Sequence, residues 1–334
     1  MSPAQEGHVP LLQVKNLCTS FETSEGKLRV VQGLSFNLEK GQTLCIVGES
    51  GCGKSITAFS LMRLLPMPPA KIDSGEVYYK GRDLFKITEN EMKQLRGNDI
   101  AMIFQEPMTS LNPVFSIGEQ LLETIYRHQR ISRKEAFLLA VSTLKKVGLA
   151  EPETRMKAYP HQLSGGMKQR VMIAMALCCR PEILIADEPT TALDVTIQAQ
   201  ILDLLKDLQK KEGMALILIT HDLAVVSEVA DEVMVMYASQ VVEKASVREI
   251  FSNPQHPYTQ GLLRSIPQLG QRVERLNEIK GQVPQPAHFP KGCHFFDRCS
   301  ISQESCKSLK PPLLAVNAEH AVACFATQTQ KEKP

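Results

Sequence analysis

One short segment constrains the fold of this chain more than any other feature. Residues 48–55 read GESGCGKS and match G-x-x-x-x-G-K-[ST], after the apolar run TLCIV at 43–47 and before the helix-forming ITAFSLMRLL. In that context the glycines let backbone N–H groups converge on phosphate oxygens at a helix N-terminus. We therefore predict a nucleotide site, with Lys54 at the β- and γ-phosphates and the Ser55 hydroxyl on Mg²⁺. The predicted ATP-binding residues of the loop are Gly48, Glu49, Ser50, Gly51, Cys52, Gly53, Lys54 and Ser55.

Charged side chains follow two further apolar runs. EILIADEP at 182–189 ends in Asp187 and Glu188, and two adjacent acids are costly there unless a cation or a proton transfer uses them. We predict that Asp187 holds the Mg²⁺ shell and Glu188 polarises the attacking water; acids that cap the turn before Pro189 are the alternative. ALILIT at 215–220 ends at His221, where ligands collect in open α/β sheets, although a structural histidine is the alternative.

Apolar runs of strand length alternate with helix-period segments over the first 240 or so residues, which predicts an α/β fold with a parallel sheet. Residues 116–150 are helical without strand signals, with a capping box at Ser132 and Glu135. After about residue 250 the chain is rich in proline and loses its periodicity. We predict a nucleotide-binding domain at 1–250 and an appended tail at 251–334.

Composition excludes several classes of protein. The chain has 334 residues, of which 43% are hydrophobic, so disorder and a small stapled scaffold are excluded. A net charge of +2 gives no electrostatic footprint for nucleic acid. No targeting segment and no apolar run of the roughly 20 residues needed to span a membrane are evident. We expect a cytosolic chain whose membrane role is peripheral.

LSGGMKQR at 163–170 completes a set of motifs with the phosphate-binding loop, Gln105, DEP, TALD at 191–194 and ITHD at 219–222. Over about residues 10–245 this set resembles the ATPases of ABC transporters. The resemblance implies a P-loop NTPase of the ABC type: a RecA-like core, an antiparallel β edge and a helical signature subdomain at about 106–170. It also implies a head-to-tail dimer in which each ATP lies between the two chains.

The same resemblance assigns roles to individual residues. Gln105 would sense the γ-phosphate and Mg²⁺, and His221 would hold the γ-phosphate and the water. Asp194 would contact the opposing subunit, and Phe21 would stack on adenine where the family usually has Tyr; a core phenylalanine is the alternative. The signature residues facing the partner's ATP would be Ser164, Gly165 and Gly166, and the Mg²⁺ ligands would be Ser55, Gln105 and Asp187.

Four strings, among them DEPTTALDVTIQAQIL at 187–202 and HPYTQGLL at 256–263, are similar to dipeptide and oligopeptide importer ATPases. Nickel importers share much of this sequence and remain the alternative. The implied partners are two transmembrane permease subunits, a second related ATPase and, indirectly, an extracytoplasmic substrate-binding protein, with the chain on the cytoplasmic side of the inner membrane. A soluble ABC ATPase acting on DNA or ribosomes is disfavoured because no long coiled-coil insertion or second cassette is present. A non-hydrolysing module is disfavoured because Glu188 and His221 are both present.

Four of the nine cysteines lie close together in the tail: Cys293, Cys299, Cys306 and Cys324. In a cytosolic chain such a cluster favours a metal site over disulfides, although the spacing does not choose the metal. GCHFFDRC at 292–299 is similar to the peptide branch and implies a 4Fe-4S cluster; zinc and unliganded thiols are the alternatives. Cys52 lies at a helix N-terminus, which predicts a lowered thiol pKa, with a neutral x position of the motif as the alternative.

Overall fold

The chain is divided between two units, each built from separated stretches of sequence. The computed structural model describes residues 9–24, 26–105, 110–191, 193–265 and 279–328. The first unit comprises Met1–Leu38, Thr43–Phe85 and Thr220–Pro334, and the second comprises Glu39–Gln42 and Lys86–Ile219. Tail residues therefore group with the phosphate-binding loop, and the predicted boundary at residue 250 stays a prediction.

The first unit contains two sets of strands. β1 (Leu12–Thr23) pairs antiparallel with β2 (Gly26–Leu38) and β4 (Ala70–Tyr79), and β4 pairs with β5 (Arg82–Asp83). This is the antiparallel edge that the ABC resemblance implies. In the other set, β3 (Thr43–Val47) runs parallel to β9 (Glu232–Tyr237). Next to β9 lie β10 (Gln240–Ser246), β12 (His320–Val322) and β11 (Leu314–Asn317), all antiparallel. The helices are Lys54–Leu61, Leu223–Val229, Val247–Ser252, Pro257–Arg264, Ser305–Ser308 and Phe325–Gln328.

In the part of the second unit that the structure describes, three parallel strands lie beside the helical segment. β7 (Ile183–Asp187) pairs with β6 (Ile100–Ile103) on one side and β8 (Ala215–Thr220) on the other. β7 and β8 are buried at every residue, as expected of parallel strands covered on both faces. The helices are Glu89–Leu95, Ile117–His128, Arg133–Lys146, Pro152–Arg155, Gly165–Leu177 and Val195–Glu212. The parallel strands and the mixed α/β content confirm the fold class at this level.

Local signals place the helices of the second unit. Ser132 caps the helix Arg133–Lys146, and its hydroxyl accepts from the Glu135 N–H while the Glu135 carboxylate binds back, as the predicted capping box requires. The helix Val195–Glu212 ends at Gly213, whose φ is 65°. Among the described helices, none is long and apolar enough to cross a membrane.

A buried ionic centre joins the tail to β10. The Glu243 side chain has no solvent exposure and accepts three hydrogen bonds: from the backbone N–H groups of Gln255 (2.6 Å) and His256 (2.9 Å), and from His320 Nε2 (2.7 Å). The hydrogen bond to Glu243 raises the pKa of His320 above its ordinary value, whereas burial lowers the pKa of His256 to about 4. His320 therefore stabilises the fold most when it is protonated.

The stability given by His320 should depend on pH. A raised pKa in the folded state means that the stabilisation is fully present below the unfolded pKa and is lost as pH rises through the folded value. We expect His320→Gln to lower the free energy of unfolding by more at about pH 6 than at about pH 9. Urea unfolding of both chains at the two pH values measures this, and an equal loss at both would contradict it.

Candidate nucleotide site and tail contacts

The phosphate-binding loop is pinned between two strands of the first unit. Three glycines of the loop have positive φ: 155° at Gly48, 80° at Gly51 and 103° at Gly53. A β-carbon on Gly48 would lie 2.2 Å from the carbonyl oxygen of Met236 in β9, and one on Gly53 would lie 2.3 Å from that of Val30 in β2. No side chain fits at either position, because the obstructing atoms are backbone. The loop backbone is therefore confined at these two glycines, in a conformation of the kind that binds anions in this motif.

Lys54 places its ammonium group inside the loop. The side chain is nearly buried, and Nζ donates to the carbonyl oxygens of Gly48 (2.8 Å) and Glu49 (3.2 Å). Ser55 follows at the second position of the helix Lys54–Leu61 and is half-buried, while Ser50 is exposed at the loop surface. The arrangement offers one charged donor and a helix start to a phosphate group.

The prediction that the helix N-terminus lowers the thiol pKa of Cys52 is wrong. Its side chain is fully buried, and this burial raises the pKa of the thiol above its ordinary value despite the nearby charge of Lys54. A β-carbon at Gly48 would lie 2.9 Å from its sulfur, so the thiol fills space beneath the loop. The alternative, a permissive x position of the motif, stays a prediction.

Two predicted catalytic residues meet in the second unit. Gln105 Nε2 donates to Glu188 Oε2 at 3.1 Å, and Thr191 Oγ1 donates to the same oxygen at 2.9 Å. Asp187, one residue earlier, is buried at the end of β7. The sequence did not single out Thr191, although it stands three residues after Glu188 in the turn that leaves the strand. One carboxylate oxygen is therefore oriented by two donors.

The backbone at Glu188 is strained. Its φ is 43°, in the left-handed region, and residues in such regions cost of order 1–3 kcal/mol. The N–H of Glu188 donates to the Ile219 carbonyl at 2.9 Å, so the neighbouring strand β8 fixes this conformation. Strain maintained by surrounding structure is typical of functional positions.

The signature residues begin a helix. Ser164 caps Gly165–Leu177, and its hydroxyl accepts from the Met167 N–H at 3.4 Å. A β-carbon on Gly166 would lie 2.9 Å from the side chain of Ile197, so glycine permits close packing there. Backbone N–H groups at this helix start remain a suitable anion cradle, and the role toward a partner's ATP stays a prediction.

Asp194 caps the neighbouring helix, Val195–Glu212, with Oδ1 accepting from the Ile197 N–H at 2.9 Å. His221 directly follows β8 and is exposed. Phe21 lies in β1 opposite Leu28 and is half-buried. The roles predicted for these residues toward a partner subunit, the γ-phosphate and adenine stay predictions.

Glu49 is bound by tail residues that sequence reasoning missed. Arg298 Nη1 donates to both Glu49 carboxylate oxygens at 3.1 Å, and the Tyr258 hydroxyl accepts from the Glu49 N–H at 2.9 Å. Arg298 stands 249 residues after Glu49, and no local pattern relates two positions so far apart. Tyr258 nevertheless lies in the tail string HPYTQGLL, and Arg298 lies in GCHFFDRC.

The four tail cysteines line one apolar pocket, together with His256 and Phe295. Burial raises the pKa of Cys293 to about 11 and that of Cys299 above its ordinary value. Among the described residues, which include all four cysteines, no group of three or more His, Cys, Asp or Glu is arranged to hold a metal ion. This geometry does not support the expected 4Fe-4S cluster or the zinc alternative.

Comparisons with known proteins agree with the site. The family model described as ABC transporter matches residues 31–191, and the one described as oligopeptide/dipeptide transporter, C-terminal region, matches residues 242–306. The oligopeptide transport ATP-binding protein AppD of Bacillus subtilis is 52% identical over 315 residues, which cover 94% of this chain and 96% of AppD. The dipeptide transport ATP-binding protein DppD of the same organism is 49% identical over 322 residues, covering 96% of each chain.

Solved structures give the same answer for the fold. The dimeric post-hydrolysis state of the ATP-binding cassette MJ0796, bound to ADP and Pi, is 28% identical, with a TM-score of 0.63. The match covers 71% of this chain and 99% of that one. The chain has the confined phosphate-binding loop and the oriented Glu188 carboxylate, and it matches its relatives along nearly their whole length. It belongs to the ABC transporter ATP-binding proteins that carry the oligopeptide/dipeptide transporter C-terminal region.

Proposed function

We propose that this chain is the ATP-hydrolysing subunit of an importer of dipeptides or oligopeptides. The observation that carries the hydrolytic part is the Glu188 carboxylate, which Gln105 and Thr191 orient in a chain that also holds a glycine-pinned phosphate-binding loop. The cargo class rests on the similarity to AppD and DppD, whose names state oligopeptide and dipeptide transport.

The residues divide the work of hydrolysis. Loop N–H groups and Lys54 bind the β- and γ-phosphates, and Glu188 accepts a proton from the attacking water while Gln105 fixes its orientation. Hydroxyl, carboxylate and amide oxygens are donors that suit Mg²⁺, and Ser55, Asp187 and Gln105 supply one of each. Bound Mg²⁺ would neutralise the charge of the phosphate oxygens.

The chain carries one copy of each motif, so two ATPase chains are needed for two complete sites. The signature residues Ser164, Gly165 and Gly166 would face the partner's ATP, with Asp194 at the contact. Closure of this dimer on ATP, and its release after hydrolysis, would drive two transmembrane permease subunits that receive cargo from an extracytoplasmic substrate-binding protein. The chain would then lie on the cytoplasmic face of the inner membrane as a peripheral subunit.

Replacing the proposed general base separates ATP binding from hydrolysis. Glu188→Gln keeps the shape and the contacts of the side chain but cannot accept a proton, so ATP affinity should persist while turnover falls about 100-fold or more. Equilibrium binding of ATP and steady-state phosphate release measure the two quantities. Glu304→Gln, at an exposed tail carboxylate, is the matched control and should behave as wild type. Near-normal turnover by Glu188→Gln would refute the assignment.

A metal centre at the tail cysteines is a separate proposal. It is supported by the four thiols that share one pocket and by the resemblance of GCHFFDRC to the peptide branch, whereas the side-chain geometry does not favour it. Anaerobically purified protein should be brown and contain iron and acid-labile sulfide in equal amounts. A colourless sample with bound zinc would replace iron by zinc, and four titratable thiols without metal would reject the centre.

A further inference from the structure

Glu49 is held at both its backbone and its side chain by the tail. Its N–H donates to the Tyr258 hydroxyl, and its two carboxylate oxygens accept from a single nitrogen of Arg298. The carbonyl oxygen of Glu49 accepts from Lys54 Nζ at 3.2 Å. The N–H, the carbonyl and the carboxylate of Glu49 therefore all have hydrogen-bond partners, and the partners of the N–H and the carboxylate lie in the tail.

The Arg298 guanidinium is fixed as firmly as the residue it binds. Beyond Glu49, Nη1 also reaches the Tyr237 hydroxyl at 3.4 Å, Nη2 donates to the Ile279 carbonyl at 3.2 Å, and Nε donates to the Lys280 carbonyl at 3.1 Å. Only 6% of the side chain is exposed. The Glu49 side chain is 29% exposed, so loss of Glu49 leaves a buried, uncompensated charge on Arg298, whereas loss of Arg298 leaves a carboxylate that water still reaches.

Buried aromatic rings pack against Arg298 and Tyr258, the two residues that contact Glu49. Tyr237 packs against Tyr258 at a centroid distance of 4.7 Å and against Phe295 at 5.1 Å. The Arg298 guanidinium carbon lies 5.6 Å from the centre of the Tyr237 ring and 5.9 Å from that of Phe295. Tyr237, Tyr258 and Phe295 are almost fully buried, so neither Arg298 nor the Tyr258 hydroxyl can move without disturbing this cluster.

We infer that Arg298 and Tyr258 are positioning residues for ATP, through which the tail holds the phosphate-binding loop in its receiving conformation. Glycine-rich backbone loses much conformational freedom when it is ordered, and a loop ordered in advance spares the ligand that cost. Holding Glu49 also sets the place of Lys54, because the Glu49 carbonyl is one of the two backbone oxygens that accept from its ammonium group. This inference rests on the proposed nucleotide site and adds a function for the tail within it.

A positioning role differs from simple attachment of the tail in its kinetic signature. We call the contacts of Arg298 and Tyr258 with Glu49 the clamp. Once MgATP occupies the loop, the phosphates themselves bind the backbone N–H groups, so the clamp matters most in the empty protein. Loss of the clamp should raise the Kd and the KM for MgATP and leave kcat near the wild-type value. General destabilisation of the tail would lower the folded fraction without this separation of KM from kcat.

The test is a double-mutant cycle on the full chain, using Arg298→Gln, Glu49→Gln and the pair together, with Tyr258→Phe as a variant that removes only the hydroxyl. Each single change should weaken MgATP binding about tenfold, with kcat within about twofold of wild type. The double variant should bind no more weakly than the worse single variant, because both changes remove the same contact. Calorimetric titration with MgATP and hydrolysis rates across MgATP concentrations give these values.

Two controls keep the outcomes distinct. Val322→Ala removes buried apolar volume from β12 in the tail and should lower stability while MgATP affinity is kept. Lys54→Ala should abolish binding; if it does not, the proposed nucleotide site is wrong. If Lys54→Ala abolishes binding while the Arg298, Glu49 and Tyr258 variants bind within twofold of wild type, or if the two changes in the cycle add, the clamp is rejected and the site stands.

Discussion

The close approach of the phosphate-binding loop to two backbone carbonyls is the constraint on which the structure depends. Met236 in β9 and Val30 in β2 leave no room for a β-carbon at Gly48 and Gly53. These strands come from two separate stretches of the first unit's sequence, so the loop takes its path only when both are in place. The motif is local in sequence, but the anion cradle that it forms depends on tertiary structure.

The tail contacts both the strands of the first unit and the phosphate-binding loop. Its strand β12 pairs with β10, Glu243 gathers the N–H groups of Gln255 and His256 beside it, and Arg298 reaches the loop. The tail buries a few aromatic side chains, among them Tyr258 and Phe295, and a few buried polar contacts of defined geometry fix its position. Buried polar groups that are fully paired specify one arrangement, because any other leaves them without partners.

Sequence reasoning succeeded where the determining interaction is local. The Ser132 capping box, the stop at Gly213 and the strands TLCIV and ALILIT all follow from residues within a few positions of each other. It failed where distant chain segments decide. The thiol pKa of Cys52 is set by burial rather than by the helix start, and β11 and β12 carry too few residues to show a period.

Coupling of ATP hydrolysis to the cargo distinguishes a peptide importer from its relatives. In liposomes that contain this chain, its partner ATPase and the permease subunits, the measurement is the rate of MgATP hydrolysis with the substrate-binding protein supplied on the opposite face. A binding protein loaded with dipeptide or oligopeptide should stimulate hydrolysis, and nickel should not. Stimulation by nickel, or hydrolysis that no peptide changes, would contradict assignment of the chain to peptide import.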